Sequence, residues 1–352
     1  MLKKDLSKNS PIEFCKEIIH PGETLSLALP LPEVFSCAPL YMPIKVIHGK
    51  KAGPCLLITA AIHGDELNGS EIINRLMALR GLKKLKGTLI AVPVLNVYGL
   101  INRSRYLPGG EDLDTCFPGL ESGNHGARLA HIFTEEVFGK ADFCLDLQTG
   151  FINYANLPQL YIDLHKQASR DSAVAFNAPV ISHSSPKAGS LGQLAQEKGI
   201  PFLRYEAGEA MRFDSHSITT GLRGIINLMR HLEMLPDKRF SKKSPLKSFF
   251  TQKNIWVRAP VSGMSYSRLS LGQHIKKGER LCVINDPFGA AESVNVMSPE
   301  EGVIIGKNNL PLVYEGEELY KLAIFSKMQH AAYHLEDWQE KSSAHFDTPD
   351  NE

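Results

Sequence analysis

Little in this sequence is present in excess, and its shortages exclude several classes of protein. Cysteine is scarce, with six residues (Cys15, Cys37, Cys55, Cys116, Cys144 and Cys282) scattered over 352 and no C-x-x-C pair among them. That pattern speaks against a disulfide frame or a thiolate zinc site and for reduced cytosolic thiols. Long apolar runs are missing as well; none approaches the ~20 residues a membrane span needs. Met1 to Phe14 carries lysines but no apolar stretch of the kind a secretory signal requires. Neither sign of charge dominates, since 39 Lys and Arg face 38 Asp and Glu for a net +1. Near-neutrality gives no reason to expect nucleic acid or an anionic membrane as a partner. The expected location is therefore cytoplasmic. No G-x-x-x-x-G-K-[ST] loop and no G-x-S-x-G elbow occurs, which leaves a phosphate loop and a serine hydrolase unsupported.

What is present is ordinary in bulk and ordered in detail. At 352 residues the chain is long enough for two domains, and its 43% hydrophobic content can fill a core. Cys55–Ile62 and Thr88–Leu95 are short apolar runs that read as buried strands. Phe143–Leu147, Leu160–Ile162, Val180–Ile181 and Phe202–Tyr205 continue the series. Helical spacing falls between them, at Leu67–Arg80, Ala127–Phe138, from about Lys166, from about Leu191, and over Ser217–Leu235. Strands alternating with helices predict an α/β domain, a mostly parallel mixed sheet with helices on both faces. Ligands of such sheets sit at the carboxyl ends of the strands.

The expected division is an N-terminal segment over 1–39, an α/β domain over 40–236, a linker over 237–253, a β module over 254–326 and a tail over 327–352. The linker is rich in Lys, Ser and Pro, and the tail is polar and expected to fray. The β module repeats itself: Ala259–Gly263 is echoed by Ser298–Gly302, and Lys277–Leu281 by Glu315–Leu319. These halves resemble the barrel-sandwich hybrid of biotinyl and lipoyl carriers. Such carriers need an acceptor lysine at the tip between the halves, whereas none occurs between Lys277 and Lys307 and the tip reads Asp286-Pro287-Phe288-Gly289. A packing or oligomerising module is the expectation.

Chemistry-bearing residues gather behind the predicted strands. His63 and Glu66 form an H-x-x-E pair, and an imidazole and a carboxylate at this spacing can face one cleft and hold zinc. Asp65 and Glu66 could equally favour a helix start with no metal. Further along stand Asn96, Arg105 and Asp112-Leu113-Asp114-Thr115-Cys116-Phe117-Pro118-Gly119. They are followed by Asp146-Leu147-Gln148-Thr149-Gly150, Asn156-Leu157-Pro158-Gln159 and Tyr205-Glu206-Ala207-Gly208-Glu209.

This ordered set resembles the succinylglutamate desuccinylase and aspartoacylase family, a branch of the zinc carboxypeptidase superfamily, over roughly residues 40–325. The resemblance implies one Zn²⁺ per chain, His63 and Glu66 as its first two ligands, and an amide carbonyl as the target. It implies that Arg105 steadies the oxyanion and that Glu206 moves the proton from water to the leaving amine. Tyr205, beside that base, is expected to line the pocket or to sit in the core.

Three positions depart from the family pattern. Where the family has Asp-Leu-His this chain has Gln148, which makes a neutral amide oxygen the third metal ligand, a poor zinc donor. Where the family has Asn-Arg, which grips a substrate carboxylate, Asp114 and Thr115 stand instead. Asp114, His125, His165 or His183 could complete the metal set in place of Gln148. The expected activity is zinc-dependent hydrolysis of a linear amide, deacylation of a small N-acyl amino acid or amine. The alternative is a weak or inactive family member that binds a small molecule or serves as a scaffold. Homo-oligomerisation stays open.

Overall fold

A computed structural model describes residues 8–35, 39–236 and 247–343. Its largest feature is a 12-stranded mixed sheet. At the centre of that sheet Lys51–Ala60 lies between two parallel neighbours, Lys86–Val92 and Phe143–Gly150. Phe143–Gly150 in turn pairs parallel with Phe202–Glu209. All eight residues of Phe143–Gly150 are buried, as expected of a strand covered on both faces. Direction reverses at the next strand, since Tyr154–Ile162 runs antiparallel to Phe202–Glu209. Val180–His183 pairs parallel with it.

Two apolar layers cover the sheet. On one face Ile72, Ile73 and Leu76 of the helix Asn68–Met77 and Ile218, Leu222 and Ile225 of the helix Ser215–His231 pack on Leu145, Leu147, Leu203 and Tyr205. On the other, Leu129, Ala130 and Phe133 of His125–Glu136 join Leu191 and Leu194 of Leu191–Glu197 against Leu57, Ile90 and Cys144. Asn124 and Asp214 cap their helices by accepting from Ala127 N and Ser217 N, so the starts of these helices are set by short polar side chains. No helix among the described residues is long and apolar enough to cross a membrane.

The flanks differ from expectation. Within the expected N-terminal segment, Thr24–Pro30 forms an edge strand against Tyr41–His48. The expected linker holds the start of a strand, Phe249–Arg258, which pairs parallel with Val180–His183; residues 237–246 of it lie outside the described residues. From Met328 the expected frayed tail is a helix to Ser343, seated by Ala331, Ala332 and Leu335. Burial of one apolar stripe suffices to hold an otherwise polar helix.

The C-terminal β module contributes strands to the large sheet and also forms a separate four-stranded sheet. Its internal repeat is visible in matching turns. Gly278 and Gly316 have φ of 76° and 83°, and in each turn a glutamate side chain, Glu279 or Glu317, accepts a backbone N–H from Lys276 or Tyr314. The module also pairs with the α/β domain, because Gly306 and Lys307 lie opposite Asn156 and Ala155.

Candidate functional site

Strand parity builds the site. Leu145, Leu147, Leu203, Tyr205 and Leu160 point into one apolar layer. The residues between them therefore face the other way, and on three adjacent strands these are polar. The register aligns them in two rows. Asp146, Arg204 and Tyr161 lie side by side in one, and Gln148, Glu206 and Gln159 in the next. Thr59 extends the first row, opposite Asp146.

The H-x-x-E pair arises where the strand Lys51–Ala60 ends. Ala61 takes a left-handed φ of 49°, which turns the chain so that His63 and Glu66 follow in a tight loop. Gly64 has to be glycine, because a Cβ there would stand 1.9 Å from the backbone carbon of Gly99. His63 Nδ1 lies 2.8 Å from Glu66 Oε1, and Nε2 lies 2.9 Å from Asp112 Oδ1. Both His63 and Glu66 are about 1% exposed. Glu66 Oε2 accepts from Thr149 N at 2.9 Å, which fixes the carboxylate from the neighbouring strand end. Arg105 donates through one terminal nitrogen to Glu66 Oε1 at 3.2 Å and through the other to Asp112 Oδ2 at 3.4 Å. Its guanidinium also lies over the Phe151 ring at 4.5 Å.

Burial works against a charged His63 ring, but Glu66 and Asp112 outweigh it and raise its pKa to about 10. Burial alone would raise Asp112; His63 and then Arg105 overcome it and hold that carboxyl down to about 2. Asp146 is fully buried, accepts from Thr59 Oγ1 and Gln148 Nε2 at 2.6 Å each, and is pushed up to about 7 by burial first and Asp114 second.

His63 and Glu66 fit a metal. Nδ1 and Oε1 face each other at hydrogen-bond distance, an imidazole and a carboxylate of the kind zinc takes, and the other ring nitrogen is held by a carboxylate, the usual support of a ligating histidine. Gln148 uses its amide nitrogen on Asp146, which leaves Oε1 as the atom it can turn to a cation. Of the other candidates, Asp114 accepts from Leu191 N at 3.0 Å, and His125 packs edge-on against Tyr98. His165 and His183 meet each other with ring centroids 5.2 Å apart. With Asp163 they form, among the described residues, a group of three whose ligand atoms lie within 4.8 Å of one another. Asp163, His165 and His183 sit beyond Ile162 and at the end of Val180–His183. Because Tyr154–Ile162 runs antiparallel to Phe202–Glu209, this is the opposite end of the sheet from Glu66 and Thr149.

A cavity opens beside the polar rows, lined in part by Asp114, Asp146, Gln148, Asp163, Lys187 and Arg204, with Tyr161 among its walls. Glu206 stands in the second row next to Gln148, with Oε1 accepting from Asn156 Nδ2 at 2.7 Å. Two of the expected substrate residues are placed elsewhere. Tyr205 is about 1% exposed, stacks near Phe176 and donates to Ser217 O at 2.7 Å; it is a core residue on the opposite face from Glu206. Thr115 is exposed and folds back to donate to Asp112 O at 2.7 Å, away from the cavity.

Arg204 borders the cavity and stood in none of the motifs, while Asp112 and Asn156 stood in motifs with no role of their own. A charged residue two before Glu206 in an apolar strand was the available signal for Arg204. The β module completes the wall: Lys321 Nζ donates to the Tyr161 hydroxyl at 2.5 Å, and Asn309 Nδ2 donates to Glu209 Oε2 at 3.0 Å.

Comparison with known proteins gives the family and the fold. The catalytic-domain model of the succinylglutamate desuccinylase/aspartoacylase family matches residues 52–232. N-alpha-acetyl-L-2,4-diaminobutyric acid deacetylase of Halomonas elongata is 24% identical over 292 residues, 80% of this chain and 85% of that protein. A succinylglutamate desuccinylase/aspartoacylase structure from Rhodobacter sphaeroides superposes with a TM-score of 0.77 at 20% identity, covering 86% of this chain and 96% of that one. The product-bound ectoine utilization protein of Ruegeria pomeroyi gives a TM-score of 0.75 at 23% identity, covering 86% and 95%. At these identities the solved structures share the fold.

Proposed function

Because this chain belongs to the succinylglutamate desuccinylase/aspartoacylase family, we propose that it is a zinc-dependent amidohydrolase that deacylates a small N-acyl amino acid or amine. The observation that carries this reading is the buried His63–Glu66 pair, with Asp112 on the far ring nitrogen and Glu206 at the neighbouring strand end. His63 Nδ1, Glu66 Oε1 and Gln148 Oε1 would hold the ion. When bound, zinc would supply Lewis acidity toward the acyl carbonyl and make water a stronger acid.

The chain's own groups do the rest. Glu206 accepts a proton from the attacking water as oxygen bonds to the acyl carbon, and returns it to the nitrogen as the C–N bond breaks. Products are a carboxylic acid and an amine, with one water consumed. Asn156 holds the Glu206 carboxylate in place for both transfers. Arg105, permanently charged and in direct contact with Glu66, stabilises negative charge that develops on the carbonyl oxygen. The Gln148 amide is a weaker donor than an imidazole, so the ion would be held less tightly than by a third histidine.

The test is hydrolysis of a broad N-acyl amino acid and N-acyl amine panel by zinc-loaded protein. Turnover that disappears in Glu206→Gln supports the proposal. If wild type hydrolysed nothing while Gln148→His did, the chain would instead be a binder that has lost its chemistry.

A further inference from the structure

Arg204 is an unusual residue to find in this sheet. It projects from a central strand, its Nε is buried and makes no hydrogen bond, and its ion-pair partner Glu206 Oε2 stands 3.8 Å away, beyond hydrogen-bond reach. The guanidinium lies 4.8 Å above the Tyr161 ring and borders the open cavity. The Arg204 side chain is half-buried at 22% exposure, and its Nε has no acceptor, which leaves a five-donor fork open to a planar anion from the cavity. Tyr161 is itself held from behind by Lys321, so the platform beneath Arg204 is rigid.

Resting on the hydrolase reading above, we propose that Arg204 binds the α-carboxylate of the substrate, so that the protein acts on α-N-acyl amino acids whose side chain is neutral or cationic. Two features of the surroundings of Arg204 set that class. The first is adjacency: Arg204 and Glu206 are alternate residues on one strand face, and their side chains approach to 3.8 Å. A carboxylate held at Arg204 places within reach of Glu206 only an atom one or two bonds away, and in an α-amino acid that atom is the acylated nitrogen. The second is charge. Asp114 and Asp146 line the same cavity, Asp114 from a different wall where Leu191 N holds its carboxylate. Lys166 and Lys187 also line the cavity, but the acidic groups that act on Arg204 itself are Glu206, Asp114 and Asp146, so a single carboxylate on the fork is matched whereas a second anionic group beside it would meet these acids.

The test compares an acid with its amide. The probes are N-acetyl-L-2,4-diaminobutyrate, its α-carboxamide and N-acetyl-L-aspartate, with wild type, Arg204→Met and Arg204→Lys. Wild type should favour the acid over its amide by about 10- to 100-fold in kcat/KM, the range a charged hydrogen-bonded pair supports, and should disfavour the aspartate derivative. Arg204→Met should erase the acid preference through KM, bringing the acid-to-amide ratio of kcat/KM to about one. Arg204→Lys should recover part of it, and the melting curves of both variants show whether they fold. Equal use of acid and amide by wild type overturns the proposal. So does a fall in kcat in Arg204→Met that is the same for both probes and comes with a shifted pH profile, which is what a group that merely positions Glu206 would give. Calorimetric binding of the same probes keeps this separate from the hydrolase reading. Acid-selective binding lost in Arg204→Met, with no turnover, supports Arg204 and sinks the enzyme; turnover indifferent to the carboxylate does the reverse. Absence of binding to all three probes overturns both.

Discussion

Two places in this molecule bring imidazole and carboxylate together, and they differ in everything except composition. At one end of the sheet His63 and Glu66 are buried, each held by a third group, with Arg105 in contact and Glu206 on an adjoining strand. At the other end the ligand atoms of Asp163, His165 and His183 lie within 4.8 Å of one another, but both histidines are exposed. Their hydrogen bonds are local, His183 Nδ1 accepting from Leu164 N at 3.3 Å and Asp163 Oδ1 accepting from His165 N at 3.0 Å. Closeness of ligand atoms alone does not separate a site from a surface cluster. Support behind the ligands and a proton-carrying group in front of them do.

That contrast can be broken first by mutation. Glu66→Ala should remove at least about 10³-fold of kcat/KM, the scale of losing the ion, whereas His165→Ala with His183→Ala should leave activity within about twofold. Steady-state kinetics on the best substrate of the panel decides between them, and the opposite ranking would move the active centre to the exposed cluster. Glu206→Gln should cost about 10²- to 10⁴-fold in kcat with metal content unchanged, as expected for loss of a general base.

A third prediction sharpens the metal side. Gln148→His should raise zinc affinity at least about tenfold in a competitive chelator titration, because an imidazole replaces an amide oxygen. No gain would mean that residue 148 does not face the ion.

The pH dependence follows from His63. Its pKa in the folded protein is about 10 against an ordinary 6.5, so the ring's contribution to metal-free stability is complete below pH 6.5 and is lost as the pH climbs to 10. Urea midpoints should fall across that window. Zinc needs the same nitrogen without its proton, so apparent zinc affinity should rise about tenfold per pH unit over the same range. The smallest expected effect is that of Tyr205→Phe, about 0.5–1.5 kcal/mol of stability from the lost bond to Ser217 O and no change in KM.

The fold was legible in the sequence because apolar strands such as Cys55–Ile62 and amphipathic helices such as Leu67–Arg80 alternate, and that period survives whatever the tertiary contacts are. Element ends were less so: the strand expected to stop at Leu147 runs to Gly150, carrying the Thr149 N–H that holds Glu66. The helix Met328–Ser343 was missed because its few apolar contacts are invisible until the β module supplies a surface.

Within the site, His63, Glu66, Arg105 and Glu206 could be picked out by motif, while Asp112 as the partner of His63 could not, since 49 residues separate them. Tyr205, which the sequence left open between pocket and core, shows the limit most sharply. Adjacent residues of a strand face opposite ways, and the residue that shares a face with Glu206 and borders the cavity is two positions away. Applying the two-residue period to Phe202–Glu209 selects Arg204 from the sequence.

The most direct measurement is the metal content of the purified, untagged protein beside a Glu66→Ala control. Near-stoichiometric zinc in wild type, absent from the control while Asp163, His165 and His183 remain intact, is the predicted result. Zinc absent from wild type even after incubation with the ion, or retained in full by the control, would contradict a metal centre at His63 and Glu66.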